Sequence, residues 1–239
     1  MKDFVSIIIP IHNEEPNIAE LTEGIVAEMK TTKYGFELIY INDGSTDDSW
    51  KRIREVSDKF EEVRGIDLAG NYGQTIAMRV GFKETKGDFI IAYDGDQQHE
   101  PRYLHTFIKY LEEGYDMVSA DKAIRADGWL KDRFAKAGHW TISKITGVKL
   151  RYFGATPKAY RSYMVKDLNM LGDEHRFIGA TMVKKGIKYI EFPMTIQSRK
   201  GGKSNYKLSK IFLVIIDLIF LKFILSYMNK PFRLFGMWG

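Results

Sequence analysis

The chain has 239 residues, 44% of them apolar, with a formal net charge of +5. That length and apolar content fit one large domain or two small ones with a real core. The absence of cysteine excludes disulfides and thiolate metal sites, and makes a reducing compartment the simplest home.

Met1-Lys2-Asp3-Phe4 runs directly into a strand-like stretch, so no leader peptide is expected. Phe4 to Pro10 is a short apolar, β-branched run closed by proline, the pattern of a buried strand. A helix is predicted from about Asn17 to Lys30, with Leu21, Ile25 and Met29 at helical spacing. Glu37 to Ile41 reads as a second strand ending at Asn42-Asp43-Gly44-Ser45. Ser45 or Thr46 is then expected to cap a helix running through Phe60. Val63 to Asp67 is a weaker strand, and Thr75 to Thr85 a helix. Asp88 to Tyr93 is a strand that runs straight into Asp94. A helix over about Arg102 to Glu113 and a strand at Asp116 to Ala120 follow. Residues 121 to 160 are basic and aromatic with a looser pattern, partly helical, and Tyr189 to Met194 makes a further strand.

Strands alternating with helices imply a mostly parallel sheet flanked by helices, with ligands beyond the carboxyl ends of the strands. Three polar clusters stand at such ends: His12-Asn13-Glu14, Asn42-Asp43 and Asp94-Gly95-Asp96. In the last, two carboxylates one residue apart can both reach a hard cation, with Gly95 letting the backbone turn closely. Mg²⁺ and Mn²⁺ prefer oxygen ligands and share them with phosphates, and the Gln98 amide offers one more. The competing reading is a polar loop in which Asp96 or a neighbour caps the next helix. Asp43 can accept hydrogen bonds from a nucleobase or ribose, while Ser45 and Asp47 build the turn. Pro10 to Glu15 and Asn71-Tyr72-Gly73-Gln74-Thr75 read, taken singly, as strand-to-helix and helix-start loops. His105, His139 and His175 show no ligand spacing and read as structural. The aromatic residues between Tyr103 and Tyr115 read as helix packing.

Together and in this order, "VSIIIPIHNEEPNI", "INDGSTDDSW" and "YDGDQQHEP" resemble the family-2 glycosyltransferases with the GT-A fold, a Rossmann-like α/β architecture. The resemblance covers about residues 4 to 120. It implies that Asp94 and Asp96 form the metal and diphosphate site, with Gln98 beside them, and that Asp43 contacts the nucleobase. It places His12, Asn13 and Glu14 along the nucleotide pocket, with Pro10, Gln74 and Gly95 among the donor-binding residues. "DGDQQHEP" and the basic run "RKGGKSNYKLSK" are similar to the polyprenyl-phosphate branch, which includes dolichol-phosphate mannose synthase and bacterial undecaprenyl-phosphate sugar transferases. "NKPFRLFG" resembles the stretch preceding that branch's membrane helices. Where the branch carries a basic residue, this chain has Asp121, with Lys122 or Arg125 to stand in. "FGATPKAYRS" replaces a Gly-Asp-Phe-Arg-like run, leaving Arg161 as its one arginine. "RFIGATM" lacks the branch's arginine before the glycine.

The tail has its own physical reading. From Phe192 to Gly239 there are eight Lys or Arg and one acid, Asp217, a balance of +7, which leaves −2 for the rest. A basic, apolar tail on a near-neutral body favours a membrane surface over nucleic acid. Arg199 and Lys203 lie in a Gly-Gly-containing segment able to close over a diphosphate, or to serve as a solvated linker. Ile211 to Leu225 is too short to span and contains Asp217 and Lys222. It is expected to lie in the membrane interface or dock on the domain.

The expectation is therefore a GT-A catalytic domain over residues 1–198 and a basic, membrane-associating segment over 199–239, acting at the cytoplasmic face of a membrane. By resemblance it is an inverting hexosyltransferase, moving a sugar from a UDP- or GDP-linked donor to a polyprenyl phosphate with Mg²⁺ or Mn²⁺. An ionised phosphate acceptor needs cations rather than a strong base. Lys122, Arg125 and Arg133 are the acceptor-phosphate candidates, Arg133 being preferred by alignment and counted with Asp94 and Asp96 as catalytic. A neutral hydroxyl acceptor would instead need a base such as Asp127 or Asp132. A silent scaffold binding nucleotide and membrane is the reading from another class.

Overall fold

The computed structural model describes residues 4–122, 157–168, 170, 175, 178–184 and 186–195. In chain order the main elements are β1 (Phe4–Ile11), α1 (Glu15–Lys30), β2 (Gly35–Asn42), α2 (Ser49–Lys59), β3 (Val63–Asp67), α3 (Gln74–Glu84) and β4 (Phe89–Ala92). After a 3₁₀ turn at Pro101–Tyr103 come α4 (Leu104–Glu112), β5 (Met117–Lys122), β6 (Lys158–Arg161), α5 (Ile178–Lys184) and β7 (Tyr189–Met194).

The strands form one seven-stranded sheet in the order β3-β2-β1-β4-β6-β5-β7. The pairs among β1 to β4, and β5 with β7, are parallel, while β6 is antiparallel to both β4 and β5. The apolar run of β1 is continuous because both faces of the sheet are covered. Side-chain alternation then divides it. Val5, Ile7, Ile9 and Ile11 pack with Ile18, Leu21 and Ile25 of α1 and Phe107 of α4, while Ile8 packs with Ala77, Met78 and Phe82 of α3. The aromatic residues near α4 are packing residues, as expected: Phe107, Tyr103 and Tyr110 all gather on Phe192 of β7.

One local expectation is corrected, the cap of α2. The stretch up to residue 160, most of which lies outside the described residues, ends in β6, a strand too short to show a period in sequence. It forms because each of its edges finds a partner, Ala92 opposite Lys158 on one side and Ser119 opposite Lys158 on the other. Neither Ser45 nor Thr46 caps α2, which begins at Ser49 after Asp48 with no side-chain cap bond. The segments holding Arg125, Arg133, Arg199, Lys203 and Ile211 to Leu225 lie outside the described residues. Among the described residues, no helix is long and apolar enough to cross a membrane.

Candidate functional site

The chain runs outward from β1 through β2 to β3, then returns to place β4 on the other side of β1. The crevice where the order reverses, beyond the carboxyl ends of β1 and β4, is where open α/β sheets bind ligands. Pro10 of β1, Ala92, Tyr93 and Asp94 at the end of β4, and Gln74 and Met78 of α3 line an open cleft there, together with the buried Lys158, Tyr160 and His175.

The turn after β1 is built by residues of the next loop. Asn13 adopts a φ of 55°, uncommon for a residue with a side chain. Its N–H donates to Ser45 Oγ at 3.0 Å, and its Oδ1 accepts from the Thr46 N–H at 2.7 Å. The Glu14 N–H donates to Ser49 Oγ at 3.0 Å and the Glu15 N–H to Asp47 Oδ2 at 3.2 Å. Ser49 and Asp47 thus satisfy otherwise unpaired amides at the start of α1, while Ser45 and Thr46 bind Asn13 just before it. His12 Nδ1 lies 2.9 Å from the Asp43 carbonyl oxygen. Glu14 Oε2 accepts from Asn17 at 2.5 Å. Asn42 donates to Asp67 Oδ1 at 2.7 Å, which ties the ends of β2 and β3.

The acidic cluster follows β4 after one residue, Tyr93. Asp94 keeps 24% of its side chain exposed, with Oδ2 3.2 Å from Nε2 of buried His99. The Tyr93 hydroxyl donates to the His99 carbonyl at 2.7 Å. Burial, with the Asp94 charge beside it, pushes the Tyr93 phenol up, so it stays a donor. Asp96 Oδ1 accepts the Gln98 N–H at 3.2 Å, which pins a turn rather than a helix start. Gln97 takes a φ of 55° and its amide donates to the Asn17 carbonyl at 3.0 Å. Gly95 packs on the end of β1: a Cβ there would stand 2.5 Å from Ile11 Cδ1, the tip of a side chain that would have to shift.

The sequence reading missed the floor of the cleft. Lys158 is 6% exposed. Burial pulls its ammonium down to about 8, opposed by Asp94 and Glu191. Its position follows from the antiparallel course of β6, which brings that strand's first residue to the carboxyl end of β4. His175, read as structural, is buried beside Thr75, with Nδ1 2.7 Å from Thr75 Oγ1, and also lines the cleft. No spacing signal marked either residue. Arg161 faces the other way: it donates to the carbonyls of Leu111 at 2.6 Å and Tyr115 at 3.3 Å, beneath α4. Lys122 ends β5, its backbone in register with Met194.

The structure thus brings Pro10, Gln74 and Asp94 to one cleft, with Asp96, Gln98 and Gly95 on the adjoining turn and His12, Asn13, Glu14 and Asp43 at the ends of β1 and β2. The donor set suits a hard cation of incomplete coordination. Asp94 and Asp96 offer oxygens, yet no group of three or more His, Cys, Asp or Glu side chains converges among the described residues. An ion held there needs further oxygens from phosphate or water.

Comparisons with known proteins give the family and the fold. Residues 6–168 match the Glycosyl transferase family 2 domain. The chain is 33% identical to a dodecaprenyl-phosphate galacturonate synthase of Rhizobium johnstonii, over 98% of this chain and 71% of that protein. It is 30% identical to an undecaprenyl-phosphate 4-deoxy-4-formamido-L-arabinose transferase of Edwardsiella ictaluri, over 90% of this chain and 67% of that protein. Glucosyl-3-phosphoglycerate synthase from Mycobacterium tuberculosis, solved with Mn²⁺, UDP and glucosyl-3-phosphoglycerate, superposes with a TM-score of 0.69 at 16% identity. That likeness covers 92% of this chain and 79% of the other, and it shows the GT-A-like fold. The chain belongs to glycosyl transferase family 2.

Proposed function

We propose that this family-2 glycosyltransferase moves a sugar from a nucleotide sugar to a polyprenyl phosphate, at a membrane surface, with inversion at the anomeric carbon. The observation that carries the reading is the similarity, over nearly the whole chain, to transferases named for dodecaprenyl- and undecaprenyl-phosphate products. The carboxylates Asp94 and Asp96 beyond β4 support the same reading.

In this account residues 1–198 are the catalytic domain and 199–239 the membrane-associating segment, facing the cytoplasm. The nucleotide lies over the ends of β1 and β2, by His12, Asn13 and Glu14, and the diphosphate lies toward Asp94 and Asp96. Asp94, Asp96 and the Gln98 amide hold Mg²⁺ or Mn²⁺, whose charge stabilises the leaving diphosphate. Gln74 and Pro10 shape the cleft wall, and Lys158 sets a buried positive charge against Asp94. The acceptor phosphate is ionised at neutral pH, so the site needs no strong base. Lys122, Arg125 and Arg133 hold that anion against the anionic donor, and Arg199 and Lys203 close over the diphosphate.

The test is Asp96→Asn. The carboxylate lies on a part-exposed loop, so the variant is expected to fold and melt like the parent. Loss of leaving-group stabilisation should cost several kcal/mol of barrier, on the order of a hundredfold or more in turnover. A folded variant with near-normal transfer would overturn the assignment.

A further inference from the structure

His99 has no part in the reaction described above, yet its ring touches the acidic turn. Its Nε2 lies 3.2 Å from Asp94 Oδ2. The His99 side chain is 4% exposed, while Asp94 keeps 24%. The contact therefore ties a partly open carboxylate to a buried ring.

One tautomer of the ring makes this contact favourable. Nδ1 is buried and has no hydrogen-bond partner among the described residues. A hydrogen on Nδ1 would go unsatisfied there, and the Nε2 lone pair would then face a carboxylate oxygen. A hydrogen on Nε2 removes both penalties. His99 is then a donor to Asp94 Oδ2, and bonds to an ionised acceptor are the stronger kind. An oxygen that accepts one hydrogen bond keeps a lone pair, so Asp94 stays able to ligate.

The segment that carries His99 is fastened independently of Asp94. The Tyr93 hydroxyl donates to the His99 carbonyl at 2.7 Å, and the two rings meet edge-on with centroids 6.1 Å apart. The Gln97 amide donates to the Asn17 carbonyl at 3.0 Å. Pro101 packs on Gly24 of α1, where a Cβ would stand 3.1 Å from Pro101 Cγ. The segment from Gln97 to Pro101 is thus docked on α1 and on Tyr93, and it presents His99 to Asp94 as a fixed donor.

We infer that His99 is a positioning residue, which holds the Asp94 carboxylate in the orientation in which, with Asp96, it receives the divalent ion. The inference rests on the reading above that Asp94 and Asp96 hold Mg²⁺ or Mn²⁺. It adds a residue that acts through Asp94 and touches neither ion nor substrate. Outer partners that orient a ligating group typically set metal affinity by about ten- to a hundredfold.

Two variants, His99→Gln and His99→Asn, separate the hydrogen bond from the filling of space, each first shown to fold by circular dichroism. The amide nitrogen introduced by His99→Gln falls where Nε2 stands. The shorter amide of His99→Asn stops at the place of Nδ1 and cannot reach Asp94. Mn²⁺ binding is measured by electron paramagnetic resonance of the free ion, with UDP and with GDP present and no acceptor. His99→Asn is expected to weaken Mn²⁺ binding by about tenfold or more, and His99→Gln to hold it within about threefold. Equal losses in the two variants would overturn the inference. A parent protein that binds no Mn²⁺ overturns the metal reading and the inference with it, whereas parent binding that survives His99→Asn overturns the inference alone. The ring is read separately, by ¹⁵N NMR of the metal-free parent. The hydrogen is expected on Nε2, and a ring with its hydrogen on Nδ1 alone overturns the inference whether or not Mn²⁺ binds.

Discussion

Lys158 and Asp94 line one cleft from neighbouring antiparallel strands, and the Asp94 carboxylate opposes the effect of burial on the Lys158 ammonium. Lys158 sits opposite Ala92, two residues before Asp94. Burial lowers its pKa to about 8, while Asp94 and then Glu191 hold the charge in place. In the unfolded chain the same group titrates near its ordinary 10.5. Between pH 8 and 10.5 the unfolded chain keeps a proton that the folded chain has lost, so this group's contribution to stability rises with pH through that window. Below pH 8 both states carry the charge and the burial cost is constant. Urea unfolding of the parent and Lys158→Met at pH 7.5 and pH 10 checks this. The parent should gain roughly 2 kcal/mol relative to the variant over that interval. A difference that does not change with pH would mean that Lys158 titrates alike in both states.

Gly95 holds the acidic turn against the core. A methyl there would meet Ile11 Cδ1 at 2.5 Å, and Ile11 is buried. Gly95→Ala is expected to cost about 1–3 kcal/mol of stability through overpacking and to weaken Mn²⁺ binding by shifting Asp94 and Asp96. Ile11→Val removes the obstructing methyl, so the double variant should recover stability and Mn²⁺ affinity together. Failure of that rescue would show that Gly95 serves the site by some route other than Ile11.

The basic tail predicts a salt-dependent membrane interaction. Attraction to an anionic leaflet is worth about 1 kcal/mol per nearby Lys or Arg and weakens with salt, whereas burial of an apolar face does not. The full chain should pellet with anionic liposomes at low salt and release only in part at high salt, and a chain lacking residues 199–239 should stay in solution. Equal binding to neutral and anionic liposomes would remove the electrostatic component.

The parallel half of the fold was legible because its strands are short apolar runs that end in polar clusters, and those clusters sit at the sheet edge where such folds bind ligands. Asp94-Gly95-Asp96 could be placed from sequence because it follows a strand with a single residue between. The floor of the cleft could not. Lys158 and Tyr160 reach it through a four-residue strand whose antiparallel pairing joins segments some seventy residues apart, and His175 meets Thr75 of α3 from farther still along the chain. Local rules failed where tertiary contacts outbid them. Ser45 and Thr46 read as caps for α2, yet bind Asn13 across the β1 turn. The Asp43 carboxylate, read as a ligand contact, also takes the Tyr72 and Gly73 amides, a role that nothing in the sequence marked.

The central claim, transfer to a lipid phosphate, is tested most directly by offering one protein two acceptors. The chain is incubated with a panel of UDP- and GDP-sugars, Mn²⁺, and either undecaprenyl phosphate or undecaprenol, and lipid-linked sugar is measured by mass spectrometry. The account predicts a sugar–phosphate–polyprenol product from the phosphate, none from the alcohol, and none from either with Asp96→Asn. Comparable transfer to the alcohol, or to neither lipid while a sugar nucleotide is consumed, would contradict it.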